Sequence, residues 1–143
     1  MNIRRVTEED AKDLMMLEEG SIEHPWEEAE LVKLGNDPNK AGFIAEDDGT
    51  VIGYIGFSHI LDEAEIGNLV VEGSQRGRGI GGALIEEAKQ YLKDQGIARV
   101  YLEVAEDNEP AGHLYAKAGF KQFNIRRDYY GRGRNAILMV CEI

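Results

Sequence analysis

The sequence predicts an α/β fold, a mixed sheet of about seven strands with helices on both faces. Three observations carry that expectation. Short runs rich in β-branched and aromatic residues recur along the chain, separated by turn residues. Stretches with apolar residues at helical spacing interrupt them. One of those helices joins two apolar strands, which makes the strands parallel neighbours, because a helical crossover returns the chain in the same direction. The 143 residues, 43% of them hydrophobic, suit a single domain spanning residues 1–143 with a substantial core.

Met1 to Val6 reads as a first strand. Thr7, with Asp10 three residues later, resembles a capping box in which Asp replaces Glu or Gln. Ala11, Leu14, Met15 and Leu17 then share one helical face. Ser21 to Trp26 breaks that helix. Pro25 suits the start of the next, which runs through about Leu34, since its missing N–H has no helical partner to lose there. Gly35-Asn36-Asp37-Pro38 ends it. Gly42 to Glu46 and Val51 to Ile60 are strands joined by Asp48-Gly49, a tight hairpin pair. Gly53 and Gly56 imply close approach of another backbone. Ala64 to Val71 completes this meander.

The next helix opens at Gly81-Gly82 and continues to Gln95, with Gly96 as its cap. Arg99 to Ala105, reading RVYLEVA, is a buried-type strand parallel to Leu69–Val71. Asn108 and Pro110 begin the last helix, with Ala111, Leu114, Tyr115 and Ala118 facing inward and Gly119 ending it. Phe120 to Arg127 and Asn135 to Ile143 form a final pair of strands.

The stretch Asn68 to Gly82, NLVVEGSQRGRGIGG, runs from strand through a Gly-rich turn into a helix. That order builds an anion site. The first N–H groups of a helix lack internal partners and carry roughly half a positive charge. Gly77, Gly79, Gly81 and Gly82 have no Cβ to hold a phosphate away from the backbone. Arg76 and Arg78 add forked cationic donors.

The formal net charge of −11 argues against nucleic acid or a membrane as the main partner and favours a basic or neutral substrate. An anionic cofactor then needs a local positive site, which the arginine loop provides. The one cysteine, Cys141, sits in an apolar terminal run and reads as a small buried hydrophobe, so a cytoplasmic setting is expected. His24, His59 and His113 have no ligand spacing, so no metal is expected.

Ligands in open α/β sheets lie at the carboxyl ends of parallel strands. Glu103 stands there, and alternation turns it away from the face shared by Leu102 and Val104. It is a candidate general base. Tyr115, on the following helix, is either a core residue or a proton donor. Asn108 is a helix cap, a ligand contact, or both.

These residues resemble the GNAT superfamily of acetyl-CoA-dependent N-acetyltransferases. The phosphate motif Gln/Arg-x-x-Gly-x-Gly/Ala stands here as Arg76-Gly77-Arg78-Gly79-Ile80-Gly81. The element N-x-x-A-x-x-L-Y-x-x-x-G-F spans Asn108 to Phe120, with Gly112 and His113 in place of the usual apolar pair. Within the superfamily the chain is similar to the ribosomal-protein alanine N-acetyltransferases and their archaeal N-terminal acetyltransferase relatives. His24-Pro25-Trp26, Leu102-Glu103-Val104, Arg126 to Tyr130 and Ala136 to Met139 carry that similarity. Asn135 stands where the family commonly has an acidic residue.

The resemblance implies a mostly antiparallel seven-stranded sheet, splayed between its two central parallel strands. It implies that the backbone of Leu69 and Val71 pairs with the pantetheine arm, with the Val71 N–H on the thioester carbonyl. Arg76, Gly77, Arg78, Gly79, Ile80, Gly81 and Gly82 would hold the pyrophosphate, and Asn108 the cofactor arm. Glu103 would be base and Tyr115 acid. Trp26, Tyr129 and Tyr130 would flank a protein or peptide N-terminus, that of a ribosomal protein included. The alternatives are a small-molecule amine or lysine as acceptor, a non-catalytic acyl-CoA-binding module, and a nicotinamide enzyme using Gly77 to Gly82 as a G-x-G-x-x-G fingerprint.

Overall fold

The computed structural model describes residues 1–20 and 25–143. Seven strands form one sheet: β1 (Asn2–Arg5), β2 (Lys40–Asp47), β3 (Thr50–Ile60), β4 (Glu63–Val71), β5 (Arg99–Ala105), β6 (Lys121–Arg126) and β7 (Ala136–Glu142). Their spatial order is β1-β2-β3-β4-β5-β7-β6. Every neighbouring pair is antiparallel except β4 and β5, which the expected helical crossover makes parallel. Among the described residues four α-helices cover it: α1 (Ala11–Glu19), α2 (Glu28–Asn36), α3 (Ile80–Asp94) and α4 (Glu109–Lys117).

The two faces carry separate cores. Leu14 and Leu17 of α1 and Leu31 and Leu34 of α2 pack with Ile44, Tyr54 and Val70. Ile80, Leu84, Ile85, Ala88 and Leu92 of α3 pack with Phe43, Ile55, Phe57, Val100, Leu102 and Tyr115 on the other side. Strand alternation produces this division, as Ile44 faces one core and its neighbours Phe43 and Ala45 the other. Truncating a fully buried side chain such as Leu84 costs about 2–5 kcal/mol.

Local signals set most boundaries. Asp48 and Gly49 both adopt positive φ, 49° and 79°, and join Asp47 to Thr50 in a two-residue hairpin turn. Gly96 (φ 83°) follows α3 and Gly119 (φ 99°) follows α4, as the C-terminal caps require. The Asp10 carboxylate reaches back to the Thr7 amide at 2.7 Å, and α1 begins through a 3₁₀ turn over Glu8–Asp10.

Two expectations need correction, and one strand carries a feature beyond its expectation. Pro25 does not start α2, which opens at Glu28 after an extended Glu27, because the Trp26 amide is held by the Glu18 carboxylate at 3.1 Å. The part of the α1–α2 break at residues 21–24, His24 included, lies outside the described residues. Gly56 meets the Leu34 side chain rather than another backbone, whereas Gly53 does approach one: a Cβ there would lie 3.0 Å from the Val70 carbonyl oxygen. Ala64 to Val71 is a strand, as expected, but an irregular one. Phe57 pairs with Ile66 but Gly56 with Asn68, so Gly67 is an extra residue, a β-bulge.

Candidate active site

The bulge reverses the phase of β4. Before it, Ala64 and Ile66 face the α3 core; after it, Leu69 and Val71 do, while Asn68 turns to the α1 face and Val70 joins the α1–α2 core. The parallel ladder to β5 stops at the same place. Only Glu63, Glu65 and Ala64 between them pair, with Arg99, Tyr101 and Val100. Beyond, β4 and β5 diverge, and the β5-facing edge of Leu69 to Val71 has no ladder partner among the described residues. A strand with an unpaired edge offers N–H and C=O groups to an extended ligand.

The Gly-rich loop stands at this open end. Gly77 (φ 85°) and Gly79 (φ 78°) hold left-handed conformations, and Gly79 caps α3. A Cβ at either would meet open space, so the region above the loop is free for a ligand. Gly81 is glycine for another reason: a Cβ would lie 2.9 Å from Leu114 Cδ2, so its absence lets α4 pack on the first turn of α3. Gly82 lies beside it, and Ile80 is buried in the core. Arg76 is exposed. Arg78 is already engaged, donating to Asp47 Oδ2 at 2.8 Å and to Gln75. Arg78 and the N-terminal amine together hold the Asp47 carboxyl below its usual range.

Glu103 lies on β5 two residues past the last laddered one, half-buried and on the face opposite Val100, Leu102 and Val104, as alternation requires. Arg126 of β6 donates to its Oε1 at 3.0 Å, and the Arg126 guanidinium stacks on Tyr129 at 5.3 Å. Tyr115, from α4, is only 8% exposed and packs edge-on against Phe120. Burial, with a smaller contribution from Tyr130, pushes its hydroxyl up to about 12, so it stays protonated at neutral pH. Burial and the charge of Glu103 raise the Tyr130 hydroxyl in turn. Glu103 thus stands on the face of β5 away from the α3 core, whereas Tyr115 belongs to that core with Leu102 and Val104.

Asn108 is the N-cap of α4, its Oδ1 accepting the Ala111 amide at 3.3 Å. Tyr129 and Tyr130 pack edge to face in the β6–β7 loop. Asp128 (φ 57°) shapes that loop, its carboxylate accepting the Gly133 amide and its own amide donating to Asn135 Oδ1. Trp26 lies across β4 at the bulge: a Cβ on Gly67 would sit 2.7 Å from its Cη2.

Sequence reasoning missed four features here: the bulge, the Arg126–Glu103 pair, the Arg78–Asp47 pair, and a carboxylate, Glu18, buried under β4. Two had a signal. Gly67 is a lone glycine inside a strand pattern, which marks bulges. Glu18 lies on the apolar face of α1 with Ala11 and Leu14.

A profile of the acetyltransferase (GNAT) family matches residues 6–120. The chain belongs to that family. A ribosomal protein bS18-alanine N-acetyltransferase of Haemophilus ducreyi is 30% identical over 142 residues, covering 96% of this chain and 97% of its own. An N-alpha-acetyltransferase of Sulfurisphaera tokodaii is 36% identical over 116 residues, 72% of this chain and 70% of its own. The crystal structure of the ribosomal-protein-S18-alanine N-acetyltransferase from Escherichia coli has a TM-score of 0.90 at 28% identity, over 99% of this chain and 93% of that one. The family sets aside the dinucleotide reading of Gly77 to Gly82. A GNAT chain is an acyltransferase whose donor is acetyl-CoA, and the residues present fit that donor. There is open space over Gly77 and Gly79 at the start of α3, the end of a helix that suits an anion, and the adjoining edge of β4 has no ladder partner among the described residues.

Proposed function

We propose that the chain, working as a single cytoplasmic domain, transfers the acetyl group of acetyl-CoA to the α-amine of a protein or peptide N-terminus, a ribosomal protein among the acceptors. The observation that carries this reading is the β4 edge left without a ladder partner among the described residues where β4 and β5 part, running straight into the Gly-rich turn before α3. The activities named for the relatives support the acceptor class. No helix among the described residues is long and apolar enough to cross a membrane.

Acetyl-CoA supplies an acyl thioester. Arg76 to Gly82 seat its pyrophosphate, with Arg78 leaving Asp47 for phosphate oxygens, and Leu69 and Val71 offer the pantetheine arm a strand edge. The Val71 N–H polarises the acyl carbonyl. Asn108 caps α4 through Oδ1 and has its amide nitrogen for the cofactor arm. Trp26, Tyr129 and Tyr130 flank the incoming chain end.

The acceptor must lose a proton before it attacks. An α-ammonium titrates near 7.7–8.0 and a lysine near 10.4, so freeing lysine at neutral pH costs about 3 kcal/mol more. One carboxylate is an adequate base for the easier case, and Glu103 takes that role while Arg126 fixes its orientation. Tyr115, held protonated by burial, gives its proton to the departing sulfur.

The test is mass spectrometry of a short-peptide library incubated with the protein and acetyl-CoA. Acetyl groups on α-amines, with internal lysines untouched, are expected. Acetylation confined to lysines or to small-molecule amines would overturn the reading.

A further inference from the structure

Glu18 has no part in the chemistry above, yet it is fully buried and takes three hydrogen bonds. Its Oε2 accepts from the Tyr54 hydroxyl at 2.9 Å. Its Oε1 accepts from Asn68 Nδ2 at 3.0 Å and from the Trp26 amide at 3.1 Å. Asn68 Nδ2 also lies 3.2 Å from the Tyr54 oxygen. The carboxylate thus ties α1, the entry to α2, β3 and β4 together. A well-packed apolar side chain would stabilise such a position as well or better, so retaining an acid here points to specificity of arrangement.

Asn68 is the first residue past the bulge. Its side chain reaches Glu18 only in the bulged phase, since without the extra residue it would turn into the apolar α3 core and lose both partners. From Asn68 onward β4 is laddered to β3 alone, so nothing on its β5 side fixes that phase. The same phase turns Leu69 and Val71 toward α3.

We propose that Glu18 is a positioning residue for acetyl transfer: through Asn68 it pins the bulged phase of β4, and through the Trp26 amide it holds the neighbouring wall against that strand. This rests on the family reaction and not on the identity of the acceptor, so the assay uses whichever amine the wild-type protein acetylates.

The experiment compares Glu18→Leu, Glu18→Gln and Asn68→Ala by steady-state kinetics, thermal melting and amide hydrogen exchange, all well below the melting temperature. Glu18→Leu should lower kcat about tenfold to a hundredfold, the scale of a small misplacement of reacting groups. The KM for acetyl-CoA should rise less than kcat falls, because the strand edge that meets the pantetheine arm is loosened while the loop before α3 is untouched. Exchange at Gly67–Val71 should rise more than exchange in β2. Glu18→Gln, which keeps an acceptor for Asn68 and Trp26, should recover most of kcat. A folded Glu18→Leu protein with wild-type kcat, or with exchange raised equally in β2 and β4, overturns the proposal and leaves Glu18 a stability residue. Should Glu18→Leu fail to fold, Asn68→Ala decides: a kcat loss in the same direction supports the proposal, and an unchanged kcat overturns it.

Discussion

The first half of β4, Glu63 to Glu65, is laddered to β3 on one side and β5 on the other; the second half, Asn68 to Val71, is laddered to β3 alone. Both halves are extended, but the first alternates between the α3 core and solvent and the second between the two cores. What separates them is one inserted residue, Gly67, which kinks the strand and inverts which side chains face which way. The laddered half closes the sheet, and its polar residues bond each other, as in the Tyr101 hydroxyl on Glu63 at 3.0 Å. The parted half leads into the Gly-rich loop before α3, and Glu103 stands on β5 beyond its last residue laddered to β4. A gap of this kind is stable only where other contacts replace the missing ladder, and Glu18 supplies them from below.

Substitutions can break that contrast. The largest effect is expected at Tyr115→Phe in the parted half, with kcat down about 10²–10⁴-fold, the range for losing a general acid, and the KM for acetyl-CoA unchanged. Equal loss of both constants would reduce Tyr115 to a packing residue. Because its hydroxyl is pushed up to about 12, wild-type turnover should not fall on the alkaline side as pH passes the ordinary tyrosine value of 10.0. Glu103→Gln should lower the rate about a hundredfold at neutral pH. That deficit should shrink as pH rises, since more of the amine is then neutral without help. A pH profile that keeps the wild-type shape would remove Glu103 as the base.

Gly67→Ala tests the junction. The new methyl would displace the Trp26 ring, which is half-exposed and can yield, so stability should fall by no more than about 1 kcal/mol. The apparent KM for the acceptor should rise several-fold in the same variant, with that for acetyl-CoA unchanged. The smallest effect belongs to the laddered half: Tyr101→Phe deletes an exposed hydrogen bond and should shift stability by under about 0.5 kcal/mol. Its kinetics should match wild type, and a large kcat loss there would erase the distinction between the halves.

Much of this site was legible residue by residue. Gly77 and Gly79 advertise a turn that needs positive φ, and alternation along RVYLEVA puts Glu103 on the face away from Leu102 and Val104. Asn108 announces a cap. The pairings were not legible. Arg78 reads in the sequence as a cationic donor for an anion, and nothing there pairs it with Asp47, 31 positions away. Nor does the sequence say that Arg126 meets Glu103, since strand order β5-β7-β6 is what brings their strands near.

Periodicity and turn chemistry, which act over a few residues, determined the strands and helices of the described residues, the parallel crossover and the Gly-rich turn into α3. Tertiary structure alone decided the phase of β4, the parting of β4 from β5 and the burial of Glu18. Those rest on contacts between residues 36 and 50 positions apart, Tyr54 and Asn68 on one carboxylate. A strand's local sequence permits either phase, and only its packed neighbours make one of them lower in free energy.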